Sequence, residues 1–333
     1  MTSFDFTNRS VLVTGGTGSF GRAFVRALLE RHKPARVVVF SRDEDKQAEM
    51  AEQLPPAKHP ALRYFIGDVR DAERLEMAMR GVDTVVHAAA LKHVPVAEYN
   101  PFECIRTNVH GAENIVRASM RAGVERVLAL STDKAANPVN LYGASKLAAD
   151  KIFVAANNLS GGTHFSIVRY GNVIGSRGSV VVLYRRLIAE GAKALPITDA
   201  RMTRFWITLE QGIEFVLSCL PRMKGGEIFV PRIPSMKMVD VARAMAPELP
   251  HDIVGIRPGE KLHEVMITED DARATIELPD RYVILPSIAF WQHNGFAEHG
   301  GKPVTEGFRY SSDTNDRWLS EAEFRGLLQD KPR

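Results

Sequence analysis

The chain has 333 residues, 45% hydrophobic and 25% charged, the composition of a soluble globular protein with a sizeable core. Its 43 basic residues against 40 acidic ones leave a net charge of +3, and no Lys/Arg run forms a basic tail. That balance argues against nucleic-acid binding but allows local basic clusters for small anions. Two isolated cysteines, Cys104 and Cys219, exclude a disulfide framework and a zinc site and read as small buried hydrophobes. His87, His93 and His263 share no metal-ligand spacing, so no metal is expected. The opening MTSFDFTNRS has no apolar signal region and no apolar run reaches membrane-spanning length, so a cytoplasmic protein without membrane association is expected.

Taken in chain order, the first half alternates short apolar runs with amphipathic helical segments. Strands are predicted over 10–14, 36–40, 63–66, 84–87, 126–130 and 166–170, with helices over 21–32, 43–53, 71–79, 102–122 and 141–157. Continuous β-branched runs are what strands covered on both faces show, and strand–helix repetition implies right-handed crossovers. The fold class is α/β, a doubly wound parallel sheet with a second, smaller α/β substrate domain. Beyond Tyr170 the pattern loosens to helices over 179–190, 209–220 and 238–246 and a strand over 227–231. The expected division is a dinucleotide-binding part over 1–171 and about 200–231, interleaved with a substrate part over about 172–199 and 232–333.

The first strand runs into Gly15-Gly16-Thr17-Gly18-Ser19-Phe20-Gly21 and then a helix. Gly15, Gly18 and Gly21 have the spacing for a tight turn, close approach to a pyrophosphate and close helix–strand packing, with the phosphates at the helix N-terminus. The second strand ends at Ser41-Arg42-Asp43, with Lys46 one turn on. A carboxylate here would hold a ribose 2′-hydroxyl, whereas an arginine suits a 2′-phosphate, so Arg42 favours NADP and Asp43 keeps NAD as the minority reading. Asp68-Val69 follows the third strand, and the small residues Ala88-Ala89-Ala90 follow the fourth, where a cofactor can lie against backbone.

Ser131-Thr132-Asp133-Lys134 follows the fifth strand, at the end where open parallel sheets place ligands. Tyr142 stands ten residues beyond Thr132, and Lys146 lies one helical turn further on the same face. Oxidising an alcohol requires removing its hydroxyl proton as the C–H bond breaks, and a phenol of pKa about 10 needs nearby positive charge to do so at neutral pH. Lys146 and an oxidised nicotinamide are expected to supply it, with Thr132 bonding the same hydroxyl. Elsewhere, adjacent Asp133 and Lys134 would read as a solvated loop. Beside a redox pair they suit a second duty: a neutral Lys134 taking the proton α to a transient ketone and Asp133 protonating the hydroxyl that leaves. That duty calls for a lysine pKa pulled down and an aspartate pKa pushed up.

The glycine loop, the Tyr142…Lys146 pair and Tyr170-Gly171-Asn172-Val173 resemble the extended short-chain dehydrogenase/reductase family. Five further runs, at 90–95, 131–135, 202–208, 257–264 and 310–315, are similar to its inverting UDP-N-acetylglucosamine 4,6-dehydratase group of pseudaminic acid biosynthesis, and the likeness spans nearly the whole chain. The resemblance implies a hydro-lyase that holds NADP throughout and yields a UDP-4-keto-6-deoxy-L-arabino-HexNAc for flagellin or surface-glycan synthesis. Hydride leaves C4, water leaves across C5–C6, hydride returns to C6 and C5 is reprotonated with inversion. Retaining relatives carry Asp-Glu where this chain has Asp133-Lys134. By the same carry-over Lys92, Asn172, Arg204, Arg257 and Glu260 hold the UDP-sugar, with an arginine fork on the pyrophosphate, Lys92, Tyr142 and Lys146 also bind the cofactor, and the protein is a homo-oligomer, with a hexamer as the expected form. One departure is Val182, where the family ordinarily has proline. The rival readings are a UDP-sugar C4 epimerase, which needs Tyr142 and Lys146 but not the Asp133-Lys134 pair, and a silent dinucleotide-binding scaffold, which commonly loses the tyrosine or lysine kept here.

Overall fold

The structure, a computed structural model, describes residues 4–176, 178–286 and 300–329. The first six strands form where uninterrupted apolar runs occur: β1 (Ser10–Thr14), β2 (Arg36–Ser41), β3 (Leu62–Ile66), β4 (Thr84–His87), β5 (Arg126–Thr132) and β6 (His164–Tyr170). Between them run α1 (Ser19–Arg31), α2 (Glu44–Gln53), α3 (Ala72–Met79), α4 (Val94–Tyr99), α5 (Pro101–Ile105), α6 (Gly111–Ala122) and α7 (Leu141–Ala156). Side chains stop the chain from fraying at helix starts: Asp43, Asp71 and Asn140 each accept a backbone N–H three residues on, at 3.0, 2.9 and 2.8 Å.

The second half contributes β7 (Asn172–Val173), α8 (Val180–Ala189), β8 (Leu195–Ile197), β9 (Thr203–Ile207), α9 (Leu209–Cys219), β10 (Ile228–Pro231), β11 (Ser235–Lys237) and α10 (Met238–Met245). Then come β12 (His251–Ile253), β13 (Val265–Ile267), α11 (Glu269–Ala272), β14 (Thr275–Glu277), β15 (Arg281–Ile284), β16 (Lys302–Pro303), β17 (Tyr310–Ser311) and α12 (Glu321–Gln329). Among the described residues, ten strands share one sheet in the order β16-β14-β15-β10-β6-β5-β4-β1-β2-β3. From β3 to β10 neighbours are parallel, and β15, β14 and β16 extend the sheet antiparallel. The order reverses between β1 and β4, which opens a crevice at the carboxyl ends of these strands.

Two features depart from the sequence reading. Residues 275–284 and 302–303 join the large sheet, although 232–333 was assigned to the substrate part; the short runs of β14 and β16 are too polar to read as strands from periodicity. The helix expected over 102–122 is interrupted by a π turn at Arg106–His110, whose extra residue re-aims the buried Thr107 and Asn108.

A large apolar core covers both faces of the sheet, and a second cluster gathers Val181, Tyr184, Leu195, Trp206, Met236, Val241 and Phe324. Strand β9 serves both. Phe205 and Ile207 pack into the large core, while Trp206 on the opposite face packs into the smaller one.

Candidate active site

The crevice continues into a cavity of about 890 Å³ between the sheet and the second cluster. Its wall includes the expected cofactor residues Gly15, Thr17, Gly18, Ser19, Phe20, Gly21, Ser41, Arg42, Asp43, Lys46, Asp68, Val69, Ala88, Ala89 and Lys92. Thr132, Lys134, Tyr142, Lys146, Asn172, Arg204, Arg257 and Glu260 line it as well. Asp133 does not. It lies behind the wall, fully buried.

The glycine loop is a cradle that side chains would fill. Gly15 has φ +64° and a Cβ there would lie 2.9 Å from Ala89 N, while one on Gly21 would lie 2.5 Å from the Gly15 carbonyl. Gly18 caps α1 with no side chain across its amides, leaving them for an anion. The Thr14 hydroxyl accepts from the Ala88 and Ala89 amides at 3.2 and 3.3 Å and bonds His87 Nδ1 at 2.8 Å. Burial, aided by the charge of Lys146, pushes His87 down to about 3, so the ring is neutral and the threonine can donate to it. These contacts, with small residues on both sides, fit a dinucleotide pyrophosphate.

At the end of β2, Asp43 is engaged by its own helix: it caps α2 and pairs with Lys46. Arg42 is 59% exposed in its side chain, with its guanidinium 3.6 Å from the Asp68 carboxylate. The cation, rather than the carboxylate, is thus the less constrained of the two at this strand end.

The reacting groups come from β5, the tight turn at Asp133–Ala135 and the first turn of α7. Turn and helix meet at Gly143, where a Cβ would lie 2.2 Å from the Lys134 carbonyl. Asp133 Oδ1 accepts from the Thr132 hydroxyl at 2.9 Å and from Lys134 Nζ at 3.0 Å. Lys134 Nζ also lies 3.3 Å from Glu264 Oε1. Burial raises the Asp133 carboxyl above its ordinary range, with Lys134 opposing and Glu264 adding to the rise.

Two electrostatic expectations are corrected. Burial favours a neutral Lys134, but Asp133 and Glu264 outweigh it and hold the ammonium above the usual lysine range. The resting lysine is therefore charged. Tyr142 is pushed up to about 12 by burial, and the charge that most opposes this is Lys134, not Lys146. Lys146 Nζ donates to the Leu130 carbonyl at 2.6 Å, and burial lowers it against the pull of Asp150. Behind it Asp150 accepts from Ser131 at 2.8 Å and Arg169 at 3.3 Å.

At the far end, Arg204 does not present a free fork. It donates to the backbone carbonyls of Thr203, Leu262 and Lys261 at 2.7, 3.2 and 2.9 Å, and its Nε lies 3.8 Å from Glu264. It braces the 261–264 segment from the cavity wall, leaving Arg257 as the more exposed guanidinium. Asn172 Oδ1, Ser179 Oγ and Glu260 Oε2 are buried around the cavity without hydrogen-bond partners, as a polar ligand requires.

Sequence reasoning missed Glu264, Lys261 and Asn108. The first two lie inside the 257–264 run, but only the fold brings them to Lys134. Asn108 needed the π turn: it accepts from Leu91 N at 2.8 Å and donates to Leu91 O and Ser145 Oγ, each at 2.9 Å. It thereby ties the loop bearing Lys92 to α7.

Comparison with known proteins agrees with this architecture. Residues 11–286 match the family described as Polysaccharide biosynthesis protein. A protein of Campylobacter jejuni subsp. jejuni serotype O:2 named UDP-N-acetylglucosamine 4,6-dehydratase (inverting) is 59% identical, covering 97% of this chain and 98% of its own. A UDP-glucose 4-epimerase of Rickettsia akari is 39% identical over 97% of this chain and 96% of its own. Among solved structures, Pen from Bacillus thuringiensis superposes with a TM-score of 0.88 at 36% identity, covering 98% of both chains. A dTDP-glucose 4,6-dehydratase from Streptomyces venezuelae, with NAD and TYD bound, gives 0.68 at 26% identity over 76% of this chain and 86% of its own. With its Rossmann sheet, glycine cradle and Tyr142–Lys146 helix, the chain belongs to the polysaccharide biosynthesis protein family, an extended short-chain dehydrogenase/reductase group.

Proposed function

We propose that the protein is a C5-inverting UDP-N-acetylglucosamine 4,6-dehydratase, a hydro-lyase that uses bound NADP without consuming it. The observation that carries this reading is the Asp133–Lys134–Glu264 cluster, in which Lys134 and Glu264 share the cavity wall with Tyr142 and Asp133 lies just behind it. An epimerase needs the tyrosine but has no use for a second, desolvated acid/base group.

In this reading the glycine cradle and Arg42 hold the dinucleotide, whose nicotinamide supplies reversible hydride acceptance. Asn172, Arg257 and Glu260 orient the UDP-sugar, and Tyr142 takes the C4 hydroxyl proton, helped by the charge of Lys134 and by Thr132. Lys134 takes the C5 proton. Asp133 is the source of the proton for O6, delivered through the Thr132 hydroxyl that bonds it, because Asp133 itself does not reach the cavity. Hydride returns to C6, and C5 is reprotonated by a solvent-derived proton on the face opposite Lys134, which inverts it. Two buried free cysteines suit a reducing cytoplasm. The exposed Tyr99 and Phe102, at 89% and 79%, support a homo-oligomer. A product bound for surface-glycan synthesis completes the proposal.

Incubation with UDP-N-acetylglucosamine in deuterated water, without added nucleotide, tests it. The expected product is lighter by one water apart from incorporated deuterium, carries that deuterium at C5 and shows proton couplings of the inverted sugar. A product of unchanged heavy-atom composition, epimerised at C4, would assign the protein to the epimerases instead.

A further inference from the structure

Glu264 is the one carboxylate of the cluster to which the reaction above gives no role. It is only 2% exposed, on a segment whose backbone is fixed by Ser312: Glu264 N donates to the Ser312 hydroxyl at 2.9 Å, and Ser312 N donates to the Glu264 carbonyl at 2.8 Å. Its Oε1 lies 3.3 Å from Lys134 Nζ, and its Oε2, which accepts no hydrogen bond, lies 3.7 Å from Lys261 Nζ. Lys261 is itself anchored, donating to the Ala136 carbonyl at 2.6 Å. The charged and titratable groups that face Lys134 are therefore Asp133 from its own turn, Tyr142 from α7, Arg204 from β9 and Glu264, with Lys261 behind Glu264.

We propose that Glu264 is a positioning residue that governs proton exchange within the Asp133–Lys134 pair, with Lys261 as its counterweight. This rests on reading Lys134 as the C5 base. The resting pair carries one proton, on Lys134. Moving it across the 3.0 Å hydrogen bond to Asp133 Oδ1 makes a neutral amine and a carboxylic acid together, with no proton gained or lost by the pair. The amine then removes the C5 proton while the acid's proton departs with O6 as water, which restores the ammonium and the carboxylate. Glu264 opposes the first transfer by favouring the charged lysine, and Lys261 and Arg204 weaken that opposition. Burial works against the charge on Glu264, but Lys134, Arg204 and Lys261 prevail and hold its carboxyl below the ordinary range, so it stays ionised as this role demands.

The pH dependence of kcat is the test. A pair active with one proton gives a bell whose limbs belong to the pair as a whole. Glu264→Gln removes a negative charge that holds both protons, and is expected to move both limbs to lower pH, by about one to three pH units. Lys261→Gln removes a positive charge and is expected to move both limbs to higher pH. Glu264→Asp, which keeps the charge, should stay closer to wild type than Glu264→Gln. Unmoved limbs with a depressed kcat would reduce Glu264 to a structural part and overturn the proposal. If Glu264→Gln does not fold, by circular dichroism and melting, Lys261→Gln decides alone: limbs that do not rise overturn it. A wild-type product that has lost no water would sink the dehydratase reading and this role together; a dehydrating wild type with unmoved limbs sinks only the role of Glu264.

Discussion

Lys134 stands 3.0 Å from one carboxylate and 3.3 Å from another, so the side chain proposed to act as a base is stored as an acid. Removing it should therefore separate chemistry from binding. Lys134→Ala is expected to lower dehydration and C5 deuterium exchange by about 10²- to 10⁴-fold, the usual contribution of a positioned base, while cofactor affinity measured by calorimetry changes little. Equal loss of both would remove the assigned role. Arg42 makes a complementary case at the other end of the cavity. If it meets a 2′-phosphate, Arg42→Ala should weaken NADP about 10- to 100-fold, as loss of a charged hydrogen bond does, and leave NAD affinity nearly unchanged. Parallel titrations of the two cofactors check it, and equal weakening would return the choice to NAD.

At the level of elements, the close seat of α7 on the Asp133–Ala135 turn makes a second demand. Gly143 leaves no room for a side chain: the Cβ of Gly143→Ala would sit 2.2 Å from the Lys134 carbonyl, so helix and turn must part. A lower melting temperature is expected, together with a fall in turnover of roughly 10²-fold, since about an ångström of misplacement costs that much. Turnover at the wild-type rate would show that the turn tolerates displacement. This seat was legible in the sequence only as the spacing of Thr132, Tyr142 and Lys146. The parallel strands and most helices were legible because uninterrupted Val/Ile/Leu runs and i, i+3, i+4 patterns report burial directly. The π turn was not, because its one-residue insertion leaves the hydrophobic period of 102–122 almost unchanged. Nor were Arg204's bonds to the carbonyls of Lys261 and Leu262, 57 and 58 residues away, or the approach of Glu264 to Lys134, which brings together segments 130 residues apart in sequence.

For the molecule as a whole, neutral groups buried beneath the cofactor cradle link stability to acidity. His87 titrates at about 3 in the fold against about 6.5 unfolded, so below pH 6.5 the unfolded chain binds a proton that the folded one refuses. This ring is stability-neutral above pH 6.5, and as pH falls it draws off about 1.4 kcal/mol per pH unit until about pH 3. Urea unfolding midpoints measured from pH 7 to 4 should therefore decline less steeply for His87→Asn than for wild type. Identical slopes would place the acid sensitivity elsewhere. Strand β9 carries a different consequence. With Phe205 and Ile207 locked into one core and Trp206 into the other, it behaves as a shared keel: neither hull can drift without dragging the other. The two cores are therefore expected to melt in a single step, as one calorimetric transition; two separate transitions would show that they part along this strand.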